Sequence, residues 1–195
     1  MVAILSADAL PGIRLTVEEY LQADLPEGQH YELVNGVVEI TPVPAPPHDA
    51  SLDALLEALY AYRRDHPDLV AHVGARAEVP VPGHATVRQP DLAVYQEWET
   101  AGQDQTAWKD VTPLWIAEII SPGQEKRDYQ DKRRDYWLAG ISEYWIIDRQ
   151  VRRVTVLSRG DADWIETVFP EDREARSQAL PGFTTPVARL VGSRT

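Results

Sequence analysis

The stretch "WIAEIISP", residues Trp115 to Pro122, places a carboxylate in the middle of an apolar segment. Apolar residues flank Glu118 on both sides, a composition typical of a strand that is buried on both faces. Burying an unpaired carboxylate costs several kcal/mol unless a cation compensates its charge. The pattern therefore predicts a buried central strand. It leaves two alternatives for Glu118: a structural partner of opposite charge, or a site that holds a cation.

Length and composition indicate one ordinary globular domain. The 195 residues are 44% hydrophobic and 26% charged, values that argue against long disorder. The absence of cysteine excludes structural disulfides, thiolate zinc sites and a cysteine nucleophile. No apolar run approaches the roughly 18–20 residues of a membrane span, and the first residues lack the basic region of a signal peptide. We expect a cytoplasmic protein with no membrane partner, made of an N-terminal arm (residues 1–14) and one domain (residues 15–192).

The charge is unevenly distributed along the chain. The net charge of −12 argues against broad, non-specific binding of polyanions. Residues 124–153, however, hold eight basic side chains against six acidic ones. Because this segment directly follows "WIAEIISP", we expect any contact with an anion to be centred there.

The order of predicted elements indicates an α+β fold. "TVEEYL" begins a short helix with a capping box, in which Thr16 is followed by Glu19 three residues later. "HYELVNGVVEIT" is typical of two strands joined by an Asn35-Gly36 hairpin turn. Further helices are predicted at about residues 49–66 and 128–139 and in "TPVARLV", with strands between them and a polar loop at 96–112. We expect a central mixed sheet flanked by helices, in a single domain.

Side-chain alternation predicts that two carboxylates converge on this sheet. In the central strand, Glu118 shares a face with Leu114, Ile116 and Ile120, and in "PDLAVY" Asp91 shares a face with Ala93 and Tyr95. If the two strands pair, Asp91 and Glu118 can both supply oxygen ligands. Two or three carboxylates with water molecules are what Mg²⁺ or Mn²⁺ prefers.

The next helix supplies a cation. Its predicted sheet-facing stripe contains Lys132 between Tyr129 and Tyr136, so a positive charge lies on an otherwise aromatic face. Two opposite charges in unexpected positions of consecutive elements indicate that Lys132 and Glu118 meet. Two carboxylates, a divalent ion and a lysine would form a site that activates water and stabilises a phosphate.

Several motifs together resemble the Uma2 family, a branch of the PD-(D/E)xK nuclease superfamily. The segments are "TVEEYL", "YELVNGVV", "PPH", "RQPDLAVY", "PLWIAEIISP", "RDYQDKRRDYWLAGISEYWIID" and "LPGFTTPVARL". They occur in the order of the family and cover the chain from about Thr16 to Leu190. The resemblance implies a restriction endonuclease-like core and a Mg²⁺- or Mn²⁺-dependent endonuclease that acts on DNA.

The resemblance also implies roles for particular residues. Asp91 matches the "PD" of the family, and Glu118 matches the acidic residue of the second half-motif. The usual lysine position of the superfamily holds Ile120, whereas the Uma2 pattern places its lysine on the next helix, at Lys132. The implied catalytic residues are Asp91, Glu118, Lys132 and Glu32; the implied metal residues are Asp91, Glu118 and Ile119; the implied nucleic-acid contacts are His48, Arg127, Arg133 and Arg134.

Structural alternatives remain open for the four implied catalytic residues. Asp91 could be a turn residue at a strand end, and Glu32 could lie on the polar face of a hairpin strand. Glu118 could form a buried ion pair without a metal. Lys132 could form an exposed pair with Asp128, four residues before it.

The function has alternatives as well. The chain could be a non-catalytic module that binds nucleic acid or protein and retains the nuclease fold, or a nuclease that acts only within a larger assembly. We also expect a homodimer, in which the hairpin "EYWIID…RRVTVL" pairs across a two-fold axis.

Overall fold

The computed structural model describes residues 12–27, 29–41, 45–75, 77–96 and 111–192. The helices of this part are α1 (Val17–Gln22), α2 (Pro46–Asp65), α3 (Lys132–Leu138) and α4 (Val187–Val191), and a π-helical turn (Arg127–Asp131) leads into α3. The strands are β1 (His30–Val34), β2 (Val37–Thr41), β3 (His72–Ala75), β4 (Val79–Pro80), β5 (Val87–Arg88), β6 (Leu92–Tyr95), β7 (Trp115–Ile119), β8 (Glu143–Asp148), β9 (Arg153–Arg159), β10 (Trp164–Pro170), β11 (Glu174–Arg176) and β12 (Thr184–Pro186).

A six-stranded mixed sheet forms the centre of the molecule. Its strand order is β10-β9-β8-β7-β6-β3, and β7 and β8 are its one parallel pair among the described strands. The predicted α+β fold with a mixed central sheet is confirmed. β7 lies inside the sheet and is buried along its whole length, as its apolar composition predicts.

Helices cover both faces of this sheet. On one face, α2 packs against β7 and α4 against β8 and β9, in one cluster that includes Leu55, Trp115 and Leu190. On the other, Tyr136 of α3 packs with Ile116 and further sheet residues. The prediction that Leu114 shares the Glu118 face was wrong, because Leu114 precedes β7 and packs with the opposite cluster.

Helix α2 begins three residues earlier than its apolar spacing predicts. Pro46 and Pro47 form its first turn, where the missing N–H of proline has no intrahelical partner to lose. This early start carries His48 into the helix, on its buried side.

A smaller sheet with the order β2-β1-β5-β4 lies beside the large one. The predicted hairpin of β1 and β2 is confirmed, and Asn35 and Gly36 have φ angles of 51° and 77°, as its tight turn requires. The capping box of α1 between Thr16 and Glu19 is also confirmed.

The predicted hairpin of β8 and β9 is confirmed. Neither of its strands lies at an edge of the sheet. β8 also pairs with β7, and β9 also pairs with β10, so neither strand is available to a second molecule. The described strands at the edges of the large sheet are β10 and β3. The expected pairing of this hairpin across a two-fold axis was therefore wrong, because β10 covers its outer strand.

Two predictions fall largely on residues that the structure does not describe. Most of the predicted polar loop at 96–112, and residues 1–11 of the predicted arm, lie outside the described residues. Residues 12–14 run against β2, with an isolated bridge between Arg14 and Val37. The domain boundary stays a prediction. Among the described residues, no helix combines the length and the apolar character that a membrane crossing requires.

Candidate active site

The predicted carboxylates meet where β6 and β7 lie side by side. The antiparallel register pairs Leu92 with Ala117, which brings Asp91 opposite Glu118. Both line one small pocket together with His48, Arg127, Asp128 and Lys132. The pocket has a volume of about 60 Å³. One water molecule needs at least about 10–15 Å³ of such space, so the pocket has room for an ion with a few waters.

Asp91 is held by donors from two different elements. Its Oδ2 accepts a hydrogen bond from the main-chain N–H of Ile119 at 2.7 Å and another from Nε2 of His48 at 3.0 Å. Burial alone would lower the pKa of His48, but the hydrogen bond to Asp91 and the nearby negative charges outweigh it and raise this pKa. Asp91 is thus hydrogen-bonded both to the central sheet and to α2. A residue that only forms a turn would not need either bond.

Glu118 is buried and paired with a lysine. Nζ of Lys132 lies 2.6 Å from Oε1 of Glu118, and the hydroxyl of Tyr136 donates to the same oxygen at 2.5 Å. Burial raises the pKa of Glu118 to about 8, since the charge of Lys132 offsets the burial only in part and the carboxylates of Asp91 and Asp128 oppose ionisation further. The predicted meeting of Glu118 and Lys132 is confirmed.

Lys132 is enclosed by carboxylates rather than exposed to solvent. Its side chain is 4% exposed, and its Nζ also lies 3.2 Å from Glu32 and 3.8 Å from Asp128. The alternative of an exposed pair between Lys132 and Asp128 was therefore wrong. Burial alone would lower the pKa of Lys132, but the surrounding negative charges outweigh it and raise this pKa, so the lysine is a permanent cation.

Glu32 on β1 joins the smaller sheet to the site. Its Oε2 contacts Arg88 and Arg127 at 2.8 Å each, and its Oε1 accepts from the main-chain N–H of Gln89 and contacts Lys132. Burial would raise the pKa of Glu32, but these three cations lower it to about 2. Glu32 is buried among these cations, so it is not simply a residue on the polar face of a hairpin strand.

Arg88 and Asp135 extend this network of buried ion pairs, and the sequence analysis did not predict either of them as a site residue. Arg88 is buried and bridges Glu32 to Asp135 of α3, with Nε 2.9 Å from Oδ2 of Asp135. The sequence held a weak signal for each: Arg88 precedes the "PD" by two residues, and Asp135 is three residues after Lys132 on the same helix. Neither signal separates a buried charge from a surface one.

The π-helical turn was also missed. The predicted helix at about 128–139 is observed as Arg127–Asp131 in π geometry followed by α3, and Gly140 follows its end with a φ of 85°. Single π turns inside helices occur frequently at functional sites. Here the turn holds Arg127 and Asp128, and both line the pocket.

Two of the predicted nucleic-acid contacts lie apart from the pocket. Arg133 pairs with Glu166 of β10 at 2.7 Å, and Arg134 is 61% exposed and pairs with Asp135 at 2.8 Å. Successive helix residues rotate by about 100°, so these side chains leave the stripe that Lys132 occupies. Arg127 and His48 do line the pocket.

The residues of the pocket fit a divalent cation that is only partly coordinated by protein. Described residues donate hydrogen bonds to Oδ2 of Asp91 and Oε1 of Glu118 but none to Oδ1 or Oε2. In the described part of the chain, no three or more histidine, aspartate and glutamate side chains are grouped to hold an ion by themselves. Two carboxylates completed by water and substrate phosphate are a common Mg²⁺ arrangement.

Known proteins resemble this chain in sequence and in fold. The model of the Uma2 family, described as "Putative restriction endonuclease", matches residues 17–188. The chain belongs to the Uma2 family. Among solved structures, the Uma2 chain is similar to a crystal structure of "a putative nuclease belonging to DUF820" from Anabaena variabilis, with a TM-score of 0.74. The two share 18% identity over 91% of this chain and 97% of the other, which supports a common fold. No curated protein matches the Uma2 chain in sequence.

Proposed function

We propose that this Uma2 protein is a metal-dependent endonuclease that hydrolyses phosphodiester bonds in DNA. The observation that carries the proposal is the convergence of Asp91 and Glu118 beside Lys132 at one pocket. Membership of a family described as restriction endonucleases supports the reaction class. The finer assignments below rest on chemistry and geometry.

Asp91 and Glu118 are the proposed ligands of Mg²⁺ or Mn²⁺, and Ile119, which lines the same pocket, is the third residue assigned to the ion. A bound divalent ion would polarise the scissile phosphate and lower the pKa of a water molecule. Lys132 keeps a positive charge beside Glu118, where negative charge develops on the phosphate. Arg127, whose side chain is 19% exposed, is the proposed contact to a substrate phosphate.

Glu32 has a different proposed role from the two metal ligands. Both of its oxygens already accept from cations or a main-chain N–H, so it has no oxygen left for an ion. We assign it to holding Lys132 and Arg127 in place. Arg133 and Arg134 remain proposed contacts to flanking phosphates, outside the pocket.

One observation favours a second function, a non-catalytic module that binds nucleic acid or protein. Lys132 lies 2.6 Å from Glu118 and gives it a partner of opposite charge without a metal ion. A scaffold of this kind would bind Mn²⁺ no better than a variant that lacks the Glu118 carboxylate. Metal binding therefore separates the two functions.

The deciding experiment is cleavage of supercoiled plasmid and of single-stranded DNA with Mn²⁺. Wild-type protein is compared with Glu118→Gln, and Glu57→Gln serves as the control because Glu57 is exposed, pairs with Arg189 and does not line the pocket. We expect nicking by wild type and by the control variant, and none by Glu118→Gln. Equal cleavage by wild type and Glu118→Gln would assign the activity to a contaminant or another site. Cleavage by none of the three, with no Mn²⁺ binding, would favour the scaffold.

We also propose a homodimer, formed through the edge of β10. Within the described residues, β10 pairs with β9 alone, and its side chains Ile165 and Val168 are 56% and 44% exposed. Ile165 and Val168 lie on opposite faces of the strand, and an antiparallel pair of β10 strands about a two-fold axis would place partner side chains beside each of them. The molar mass in solution, measured for wild type and for Ile165→Lys, tests this: a dimeric wild type and a monomeric variant are expected.

A further inference from the structure

The two proposed metal ligands share a pattern of hydrogen bonding. Each carboxylate has one oxygen that accepts from two donors and one oxygen to which the described residues donate nothing. We propose that His48 and Tyr136 are positioning residues, which turn the free oxygens of Asp91 and Glu118 toward a divalent cation. This inference rests on the proposed function, because it needs an ion at these carboxylates.

On the Asp91 side, one donor is fixed and the other is a side chain. The N–H of Ile119 belongs to β7, so the sheet sets its position. His48 supplies the second donor, and because an ionised carboxylate can only accept, Nε2 must carry a proton. Nδ1 of His48 is buried and lacks a hydrogen-bond partner in the described structure. The buried ring therefore makes one hydrogen bond, and that bond fixes the rotation of the Asp91 carboxylate.

On the Glu118 side, charge and direction come from different residues. Lys132 supplies the charge, whereas Tyr136 supplies a neutral hydroxyl. The ring of Tyr136 is fully buried and packs edge-on against Tyr144, with 5.0 Å between ring centroids. This packing fixes the position of the Tyr136 hydroxyl beside Oε1 of Glu118. Tyr136 can therefore fix the rotation of the carboxylate without changing the charge of the site.

Loss of such orienting partners weakens metal binding in known sites. Removing a residue that hydrogen-bonds a metal ligand typically costs about 10–100-fold in affinity. A phenylalanine at position 136 keeps the ring and the charges but removes the donor. The expected effect is thus on Mn²⁺ affinity, with a smaller effect on folding.

Tyr144 provides a matched control. It is as buried as Tyr136, lies next to it, and its hydroxyl donates to the main-chain oxygen of Asp128 at 3.1 Å rather than to Glu118. Titration calorimetry with MnCl₂ would compare full-length wild type, Tyr136→Phe, Tyr144→Phe and Glu118→Gln. We expect Tyr136→Phe to bind Mn²⁺ about 10–100-fold more weakly than wild type, and Tyr144→Phe to stay within about threefold. Equal losses in the two tyrosine variants, or no loss in Tyr136→Phe, would overturn the role of Tyr136.

A second pair of variants tests His48, and this test does not require the two tyrosine variants to fold. His48→Gln keeps an N–H donor near the position of Nε2, whereas His48→Ala removes it. We expect about tenfold or greater loss of Mn²⁺ affinity in His48→Ala and substantial recovery in His48→Gln. Equal affinities in both variants would contradict positioning by His48. If wild type and Glu118→Gln bind Mn²⁺ equally, or neither binds it, the metal site of the proposed function fails, and the positioning inference fails with it.

Discussion

Glu118→Gln should remove a pH dependence from the stability of this protein. In the folded state Glu118 has a pKa raised to about 8, against 4.5 as its ordinary value. Between these pH values the folded state keeps a proton that the unfolded state has lost. Unfolding therefore becomes easier as the pH rises, and this loss of stability is complete once Glu118 ionises in the folded state. A glutamine at this position has no proton to lose.

The size of the effect follows from the linkage slope of about 1.4 kcal/mol per pH unit for one proton. From about pH 5.5 to about pH 8, wild type should lose roughly 3 kcal/mol of unfolding free energy relative to the variant. Glutamine also suits the site, since its carbonyl oxygen can still accept from Lys132 and Tyr136. We therefore expect the variant to fold, and we expect its unfolding free energy to rise relative to that of wild type as the pH increases.

Urea denaturation of both proteins at several pH values, with EDTA present, measures this difference. EDTA keeps stray divalent ions from replacing the proton. Groups that titrate equally in both proteins cancel in the comparison. Parallel stability curves for wild type and Glu118→Gln would refute the reasoning, because they would mean that Glu118 titrates alike in the folded and unfolded chains.

Three further variants test the buried charges. Lys132→Met should destabilise the protein by about 3–5 kcal/mol in urea denaturation and abolish cleavage, because it leaves carboxylates uncompensated. Arg88→Met should cost a similar amount, about 3–5 kcal/mol, since both Glu32 and Asp135 lose their shared cation; an unchanged midpoint would contradict this. Glu143→Gln should cost roughly 2–4 kcal/mol while leaving Mn²⁺ affinity within about threefold. In the described structure this buried carboxylate accepts hydrogen bonds from side chains and main-chain N–H groups at the other end of the sheet, away from the pocket.

The elements that sequence alone predicts are those with a strong local signal. The capping box of α1, the Asn35-Gly36 turn and the apolar run of β7 each specify structure through their own residues, and each is observed. The short strands β5, β11 and β12 were missed because two or three residues carry no periodicity. Their positions depend on strands that are distant in sequence.

The candidate site was predictable where a residue contradicted its surroundings. Glu118 in an apolar strand and Lys132 on an aromatic stripe stood out, and they meet in the fold. Arg88, by contrast, lies in a polar segment where an arginine is unremarkable, and its burial arises because β5 pairs with β1 over a distance of more than fifty residues. The π geometry of the turn before α3 has no signature that helical spacing could detect.

The charge of the site also explains why the basic segment is a poor guide to nucleic-acid contacts. Of its eight basic side chains, Arg127, Lys132, Arg133, Arg134 and Arg152 form ion pairs within the described structure. Most of its positive charge is thus matched inside the protein, and little of it is left to attract a polyanion.

The buried cluster around the pocket holds two more carboxylates than buried permanent cations. The carboxylates are Glu32, Asp91, Glu118, Asp128 and Asp135, and the cations are Arg88, Arg127 and Lys132. The exposed Arg134 and a protonated His48 each pair with one of these carboxylates, and a divalent ion would neutralise the rest of the excess. Without an ion, protons should supply part of it, consistent with the pKa values of Glu118 and Asp128, which burial raises to about 8 and about 6. Proton uptake and metal binding are then competing ways to neutralise the same cluster, so Mn²⁺ binding should release protons and strengthen as the pH rises toward 8.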